Sequence, residues 1–314
     1  MERGCYMNLN SIMQNEKTDK YIVLDVGGSA IKYGLLNQDG EVLERGNIVT
    51  DNEDINKFIF DIKDIIEKYS NHENIKGLAC SFPGAVNPKT GFIEGISAVP
   101  CIHNVNMKKI LSEATGLEVS MENDANCSAL AEGWIGTAKD VDNFVSIVLG
   151  TGIGGAVVIN KRILRGKNLH GGEFGFMQIT DDKGEDGLGN VWSRVASTGA
   201  LVRRVAKRKG IPVSELTGQL VFEMEKEDNE VKEEIAEWFK GVAKGIYNIQ
   251  YILDPEKILI GGGISIRNDF IDRVNQYLEL MKNEESTLNI KVEKCKFAND
   301  ANLIGALYNF LYCK

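Results

Sequence analysis

The chain has 314 residues, 43% of them hydrophobic and 26% charged, enough apolar material for a sizeable core divided between two lobes. Its formal net charge of -9 argues against nonspecific nucleic-acid binding, which relies on Lys and Arg to neutralise phosphates. No apolar run approaches the roughly 20 residues of a membrane span, no signal-peptide core opens the chain, and the cysteines are scattered without a Cys-x-x-Cys pair, so a cytoplasmic protein with reduced thiols is expected.

Residues 1–20 read as a disordered tail or extension. The apolar strand Tyr21 to Leu24 enters the glycine turn Asp25-Val-Gly-Gly-Ser-Ala-Ile-Lys32, leaves it as another strand and turns again at Asn37 to Gly40. Ile55, Phe58, Ile59, Ile62, Ile65 and Ile66 recur at helical spacing and predict a helix from about Glu53 to Tyr69. Ile75 to Phe82 reads as a buried strand ending in Pro83-Gly84. A short strand over Val119 to Glu122 leads into Asn123-Asp124-Ala125-Asn126, which opens a helix carrying Ala129, Leu130, Ala131 and Trp134.

A second hairpin follows the outline of the first: strand Phe144 to Leu149, glycine turn Gly150-Thr-Gly-Ile-Gly-Gly155, another strand, and a tight turn at Asn160-Lys161. Helices are expected over Asn190 to Lys209, Glu215 to Glu225 and Glu230 to Leu253. Lys257 to Ile260 is a short strand running into Gly261-Gly-Gly263, with a helix from about Asp269. Asn299 to Asn302 starts a last apolar helix, Leu303 to Tyr312, which in a two-lobed protein crosses back to the first lobe. The hairpin pair is the only internal echo.

Two such hairpins can face one triphosphate, because glycine lets backbone N–H groups approach phosphate oxygens and tolerates tight-turn dihedrals. Gly27, Gly28 and Ser29 supply the first turn, and Gly150, Thr151 and Gly152 the second. Gly150, Gly152 and Gly155 also match Gly-x-Gly-x-x-Gly, yet Ala156-Val-Val-Ile159 reads as a strand, whereas the dinucleotide fingerprint must open a helix. A Walker loop is missing as well.

Asp124 is the strongest candidate base: it follows a strand, sits with Asn123 in a helix's first turn, and falls between the two hairpins. A plain capping role competes, since Asn299 to Asn302 repeats the same letters. Asp25, beside Gly27 and Gly28, suits Mg²⁺ held directly or through water, against a turn-stabilising Asp. Lys32 could reach phosphate or remain a solvated surface residue. Glu173, in His170-Gly-Gly-Glu-Phe-Gly-Phe176, suits bidentate hydrogen bonding to vicinal hydroxyls as on a sugar, against an incidental loop Glu. His72, His103 and His170 show no metal-ligand spacing and read as surface or loop residues.

In these blocks the chain resembles the sugar kinases of the ROK group (repressor, open reading frame, kinase). The resemblance rests on Asp25 to Ile31, Ser81 to Gly91, Glu122 to Asn126, Gly150 to Gly155, Gly166 to Gly175 and Ile260 to Gly263, which lie in family order along most of the chain. It implies an α/β, two-lobed actin/hexokinase-like (ribonuclease H-like) ATPase fold, with a small lobe over 21–122 plus a C-terminal helix at about 302–314, and a large lobe over 123–301. It further implies that Asp124 is the base for a sugar hydroxyl, that Gly84, Asn104, Asn123 and Glu173 bind the sugar, and that the protein is a homodimer. The glycine turns, now including Gly261, Gly262 and Gly263, are implied to hold ATP with Mg²⁺.

Two departures stand out. Phe176 occupies the position where most members have His, and the stretch Asp186 to Trp192 lacks the cysteine cluster of the group's zinc site, so no zinc is expected. In the zinc-containing glucokinases that His and a later Glu also contact the anomeric side of the sugar. The pattern is similar to that of the β-glucoside kinases, which phosphorylate the 6-hydroxyl of cellobiose and related glucosides, as are Thr217 to Leu220 and Asn299 to Ala306. An apolar Phe in place of a polar reader suits a sugar with no free anomeric hydroxyl, because an unpaired buried donor costs about 1–3 kcal/mol. A glucokinase or N-acetylmannosamine kinase is the alternative. The sugar-responsive repressors of the group carry a helix-turn-helix domain ahead of the kinase-like region, for which the 20 residues before Tyr21 are too few.

Overall fold

Two five-stranded sheets with the same strand order organise the computed structural model, which describes residues 18–95, 97–181, 189–282 and 287–313. The first sheet begins with β1 (Lys20–Val26), β2 (Ala30–Asn37) and β3 (Val42–Val49), joined as antiparallel hairpins. Helix α1 (Ile55–Lys68) returns the chain to β4 (Ile75–Phe82), parallel to β1. A small hairpin, β5 (Ala85–Val86) with β6 (Ile93–Glu94), and helix α2 (Met107–Thr115) precede β7 (Val119–Asn123), parallel to β4. Alternation along β1 explains its unbroken apolar run: Ile22, Leu24 and Val26 pack toward α1, while Tyr21 and Val23 pack in a second cluster on the opposite face.

Helix α3 (Asp124–Ile135) leads to the second sheet, which repeats the pattern. Its antiparallel strands are β8 (Phe144–Leu149), β9 (Ile153–Ile159) and β10 (Arg162–Ile163), with a turn at Asn160 and Lys161 whose φ values of 50° and 60° are those of a tight hairpin. Helices α4 (Trp192–Ala196), α5 (Thr198–Lys209), α6 (Gly218–Met224) and α7 (Asn229–Leu253) come next. Strand β11 (Lys257–Gly261), helix α8 (Phe270–Met281) and strand β12 (Val292–Lys294) complete the sheet, β11 lying parallel to both β8 and β12. The internal echo therefore extends beyond the hairpins to two whole sheets, β3-β2-β1-β4-β7 and β10-β9-β8-β11-β12.

The last helix, α9 (Ala301–Tyr312), does return to the first sheet: Leu303, Ile304, Leu307 and Phe310 cluster with Tyr21, Val23 and Ala79. It also lies tightly against α3, since a Cβ on Gly305 would overlap the carbonyl of Cys127. Glu132, fully buried near the end of α3, accepts the N–H groups of Thr137 and Phe297 at 2.8 Å each, joining α3 to the segment that enters α9.

The expected helix over Asn190 to Lys209 is two helices. Ser197 breaks it, its hydroxyl accepting Ala200 N–H at 2.9 Å as the cap of α5. The expected helix from Glu215 starts only after Thr217, which caps α6 through Leu220 N–H at 3.2 Å. Strands β5, β6 and β12, of two or three residues each, are too short to show a period; α2 has one, in Met107, Ile110 and Leu111, which the expectations above leave out. The expected tail falls mostly outside the described residues, as do Asp186, Gly187 and Leu188 of the cysteine-free stretch. None of the described helices is long and apolar enough to cross a membrane.

Candidate active site

The junction of β7 and α3 sets the chemistry. Asn123 caps α3, its Oδ1 accepting Asn126 N–H at 3.1 Å, so the plain capping role belongs to Asn123 and leaves Asp124 as the first helical residue. The Asn123 amide donates to the Gly84 carbonyl and to Asp124 Oδ1, both at 3.0 Å, and Ala125 N–H donates to that same Oδ1 at 2.8 Å. Burial pushes the Asp124 carboxyl up to about 6, helped by the negative charges of Asp25 and Glu173 and opposed by the hydrogen bonds. A carboxylate in this range is poised to take a proton near neutral pH.

Asp25, at the end of β1, is buried. Its Oδ1 accepts Asn302 Nδ2 at 2.9 Å and Ser81 Oγ at 3.1 Å, while its Oδ2 has the Lys32 ammonium at 3.9 Å. Burial raises its pKa; Asn302, Lys32 and Ser81 pull the other way. A carboxylate with one oxygen fixed by neutral donors suits Mg²⁺, which takes one or two carboxylates with phosphate oxygens and water. Glu173 precedes a single 3-10 turn, Phe174–Phe176, and its pKa is raised by burial against the pull of His170.

The glycines divide by what they make room for. A Cβ on Gly263 would meet nothing within 4 Å, on Gly150 only the Gly152 carbonyl at 4.0 Å, and on Gly152 only Ser193 Oγ at 3.5 Å, so these present open backbone to a ligand. Gly262 instead requires its left-handed φ of 92°, and its Cβ would strike the Leu149 carbonyl. In the first turn neither Gly27 nor Gly28 has positive φ; Gly28 is needed because a Cβ would come within 2.7 Å of the Ala98 Cβ. Close packing, and not left-handed backbone, fixes that glycine. Ser29 accepts Thr50 N–H at 3.2 Å through its carbonyl.

Asp124, Gly150, Gly152, Gly261, Gly262, Phe176 and Asn302 line one cleft of about 510 Å³. Gly150 also belongs to a larger, adjoining cleft of about 750 Å³, with Thr151, Gly199, Val202, Leu216, Thr217, Gly263 and Ile264. Its two arginines differ: Arg267 bonds Asp269 at 3.0 Å and lies over the Phe222 ring at 4.3 Å, whereas the Arg203 guanidinium is held below its ordinary range by burial and by Arg194 and Arg204. The α5 and α6 wall was missed because Thr198 and Thr217 fall inside the helices expected over Asn190 to Lys209 and Glu215 to Glu225, where nothing in the sequence marks them as cleft residues.

Of the expected sugar residues, Gly84, Asn123 and Asp124 are hydrogen-bonded together. Asn104 is exposed at φ 56°, with its N–H on the carbonyl of Ile93, whose side chain would lie 3.5 Å from a Cβ on Gly84; among the described residues no hydrogen bond joins it to Asn123, Asp124 or Glu173. His103, expected as an ordinary loop residue, is half-buried, with Nε2 2.7 Å from both the N–H and the hydroxyl of Ser97. Among the described residues no group of three or more His, Cys, Asp or Glu could hold a metal ion by itself.

The ROK family model matches residues 21–311. A β-glucoside kinase of Listeria monocytogenes is 35% identical over 93% of this chain and 97% of its own. Among solved structures, a ROK family protein from Streptococcus pneumoniae in complex with sucrose is 38% identical, with a TM-score of 0.84 over 93% of this chain and 98% of that one. A ROK family glucokinase from Streptomyces griseus in complex with glucose and AMPPNP, 23% identical, superimposes with a TM-score of 0.77 over 92% of this chain and 98% of that one. The fold is the actin/hexokinase-like one, and the repeated sheets are its two halves.

Proposed function

The chain belongs to the ROK family and is a sugar kinase, and on that premise we propose that it transfers the γ-phosphoryl group of ATP to the 6-hydroxyl of a β-glucoside such as cellobiose. The observation that carries the glucoside reading is Phe176, an apolar side chain 68% exposed in the cleft that Asp124 lines. A hydrophobic wall there favours an aglycone or second sugar ring over a free anomeric hydroxyl, which would lose a hydrogen-bonding partner.

In the reaction the 6-oxygen forms a bond to the γ-phosphorus as the bond to the bridging oxygen of ADP breaks, and the hydroxyl proton passes to Asp124. Asn123 and Ala125 N–H fix the carboxylate for that transfer. Glu173, together with Gly84 and Asn123, would hold sugar hydroxyls so that the acceptor meets the phosphorus in line, where positioning supplies most of the catalysis. The open backbone at Gly150, Gly152 and Gly263 would receive the phosphates, and the larger cleft beside it the nucleoside. Bound Mg²⁺ would neutralise phosphate charge, and Asp25 is the carboxylate suited to hold it, directly or through water.

A coupled assay of ADP release over cellobiose, an aryl β-glucoside, glucose and N-acetylmannosamine tests this reading. The glucosides are expected to have the highest kcat/KM, because remote binding energy helps to hold the reacting group. A preference of about tenfold or more for glucose or N-acetylmannosamine, about 1.4 kcal/mol of transition-state binding, would overturn it.

A further inference from the structure

Glu122 is fully buried at the end of β7, two residues before Asp124, and both its oxygens are engaged. Its Oε1 accepts Asn123 N–H and Asn126 Nδ2, each at 2.9 Å, which fastens it to the first turn of α3. Its Oε2 accepts Arg165 Nε at 2.9 Å and a terminal guanidinium nitrogen of the same residue. Arg165 belongs to the other half of the molecule, just after β10, in the loop that ends at Glu173.

That loop is folded back on Arg165. The Arg165 carbonyl accepts Gly171 N–H at 2.9 Å, and a Cβ on Gly171 would overlap the Leu164 carbonyl. Gly172, at φ 91°, lies against the backbone of Gly155 and Ala156 in β9. The stretch bearing Glu173 is thus closed by the Arg165 main chain, while the Arg165 side chain reaches to the strand end bearing Asp124.

We propose that Arg165 is a positioning residue that, through Glu122, holds Glu173 in register with Asp124. The inference rests on the reading of those two residues as sugar ligand and base. Both must touch one small sugar, yet they come from separate segments, and the ion pair of the buried Glu122 with the half-buried Arg165 is a direct side-chain tie between those segments. Glu122 favours this partner strongly, because removing the cation would leave a carboxylate buried without counter-charge. Arg suits the task better than Lys, since two donors in a rigid fork fix direction as well as distance. Misplacement of about 1 Å at a reacting group can cost on the order of 10²-fold in rate.

The test uses the full chain with Arg165→Met, Arg165→Lys, Glu122→Gln and the double variant Glu122→Gln/Arg165→Met, assayed with whichever sugar the wild type turns over best. Arg165→Met is expected to lower kcat by about tenfold or more and raise the sugar KM, with the ATP KM within about twofold of wild type. Arg165→Lys should recover part of the loss, and the double variant should lose no more than the worse single one, as coupled residues do. A kcat for Arg165→Met within about twofold of wild type, equal rises in both KM values, or additive losses would each overturn the proposal. Should Arg165→Met fail to fold, the double variant, which leaves no buried charge unpaired, carries the same comparison. Hydrogen exchange separates this inference from the reading beneath it. Faster exchange of residues 164–173 in the Arg165→Met or double variant supports the tie even if the wild type phosphorylates none of the sugars, and unchanged exchange overturns it.

Discussion

The side-chain amide of Asn302, in the first turn of the last helix, donates to the carboxylate of Asp25 at the end of the first strand, 2.9 Å away. The bond joins the two ends of the described fold at the carboxylate read here as the Mg²⁺ ligand. It is also the largest of the influences that pull the Asp25 pKa down against burial. Asn302→Ala should therefore leave Asp25 less readily ionised and less well directed. The Mg²⁺ concentration giving half-maximal rate should rise several-fold while the sugar KM stays near wild type, as read from kinetics over a Mg²⁺ series. An unchanged Mg²⁺ dependence would remove Asp25 from that role.

Asp124→Asn should reduce kcat by roughly 10²–10⁴-fold, the usual cost of losing a general base. More than about a tenth of wild-type kcat in that variant would exclude Asp124 as the base. In the wild type, kcat/KM should fall on the acid side with an apparent pKa near the value of about 6 to which burial raises this carboxyl.

The same shift makes Asp124 a burden on stability. Its pKa is raised above the ordinary 3.8 to about 6, so between those values the folded chain holds a proton that the unfolded chain has released. The resulting stabilisation is complete below about pH 4 and is lost as the pH rises through about 6. Asp124→Asn should then melt higher than wild type at pH 8, and the gap should narrow toward pH 4. Melting curves at the two pH values give the comparison, and a variant less stable at pH 8 would contradict it.

At Gly263 a methyl group would meet nothing within 4 Å, and the backbone has no left-handed φ. Gly263→Ala should fold and melt as the wild type does, while the added group intrudes on the open backbone of the nucleotide cleft. The ATP KM should rise and the sugar KM should not. A rise confined to the sugar would put the nucleotide elsewhere.

The protein purified and dialysed without chelator is expected to contain no stoichiometric zinc, since Phe176 replaces a ligand and Asp186 to Trp192 holds no cysteine. Elemental analysis showing about one zinc per chain would return it to the zinc-dependent pattern.

Much of this was written locally. The apolar strand from Tyr21 to Leu24, the glycine turns, the Asn160-Lys161 hairpin and the helix opening at Asn123-Asp124 depend on neighbours in sequence, so composition and turn chemistry reveal them, whereas the choice of Asn123 over Asp124 as the cap was left to the structure. The chain order of motifs marks the family for the same reason, since each motif is a short continuous run of residues. What the sequence could not contain was distance between segments. The duplication of the whole sheet depends on β12, three residues with no period of their own, which find their place only by pairing with β11. Gly28 is read from the sequence as a phosphate glycine, and the fold adds a second demand that the sequence does not show, the close approach of Ala98. Nothing beside Arg165 in the sequence marks it out, because its partner Glu122 lies 43 residues earlier in the chain. Local preferences act over a few residues and leave a pattern in the sequence, whereas burial, packing and charge pairing depend on which segments meet, and only the folded chain decides that.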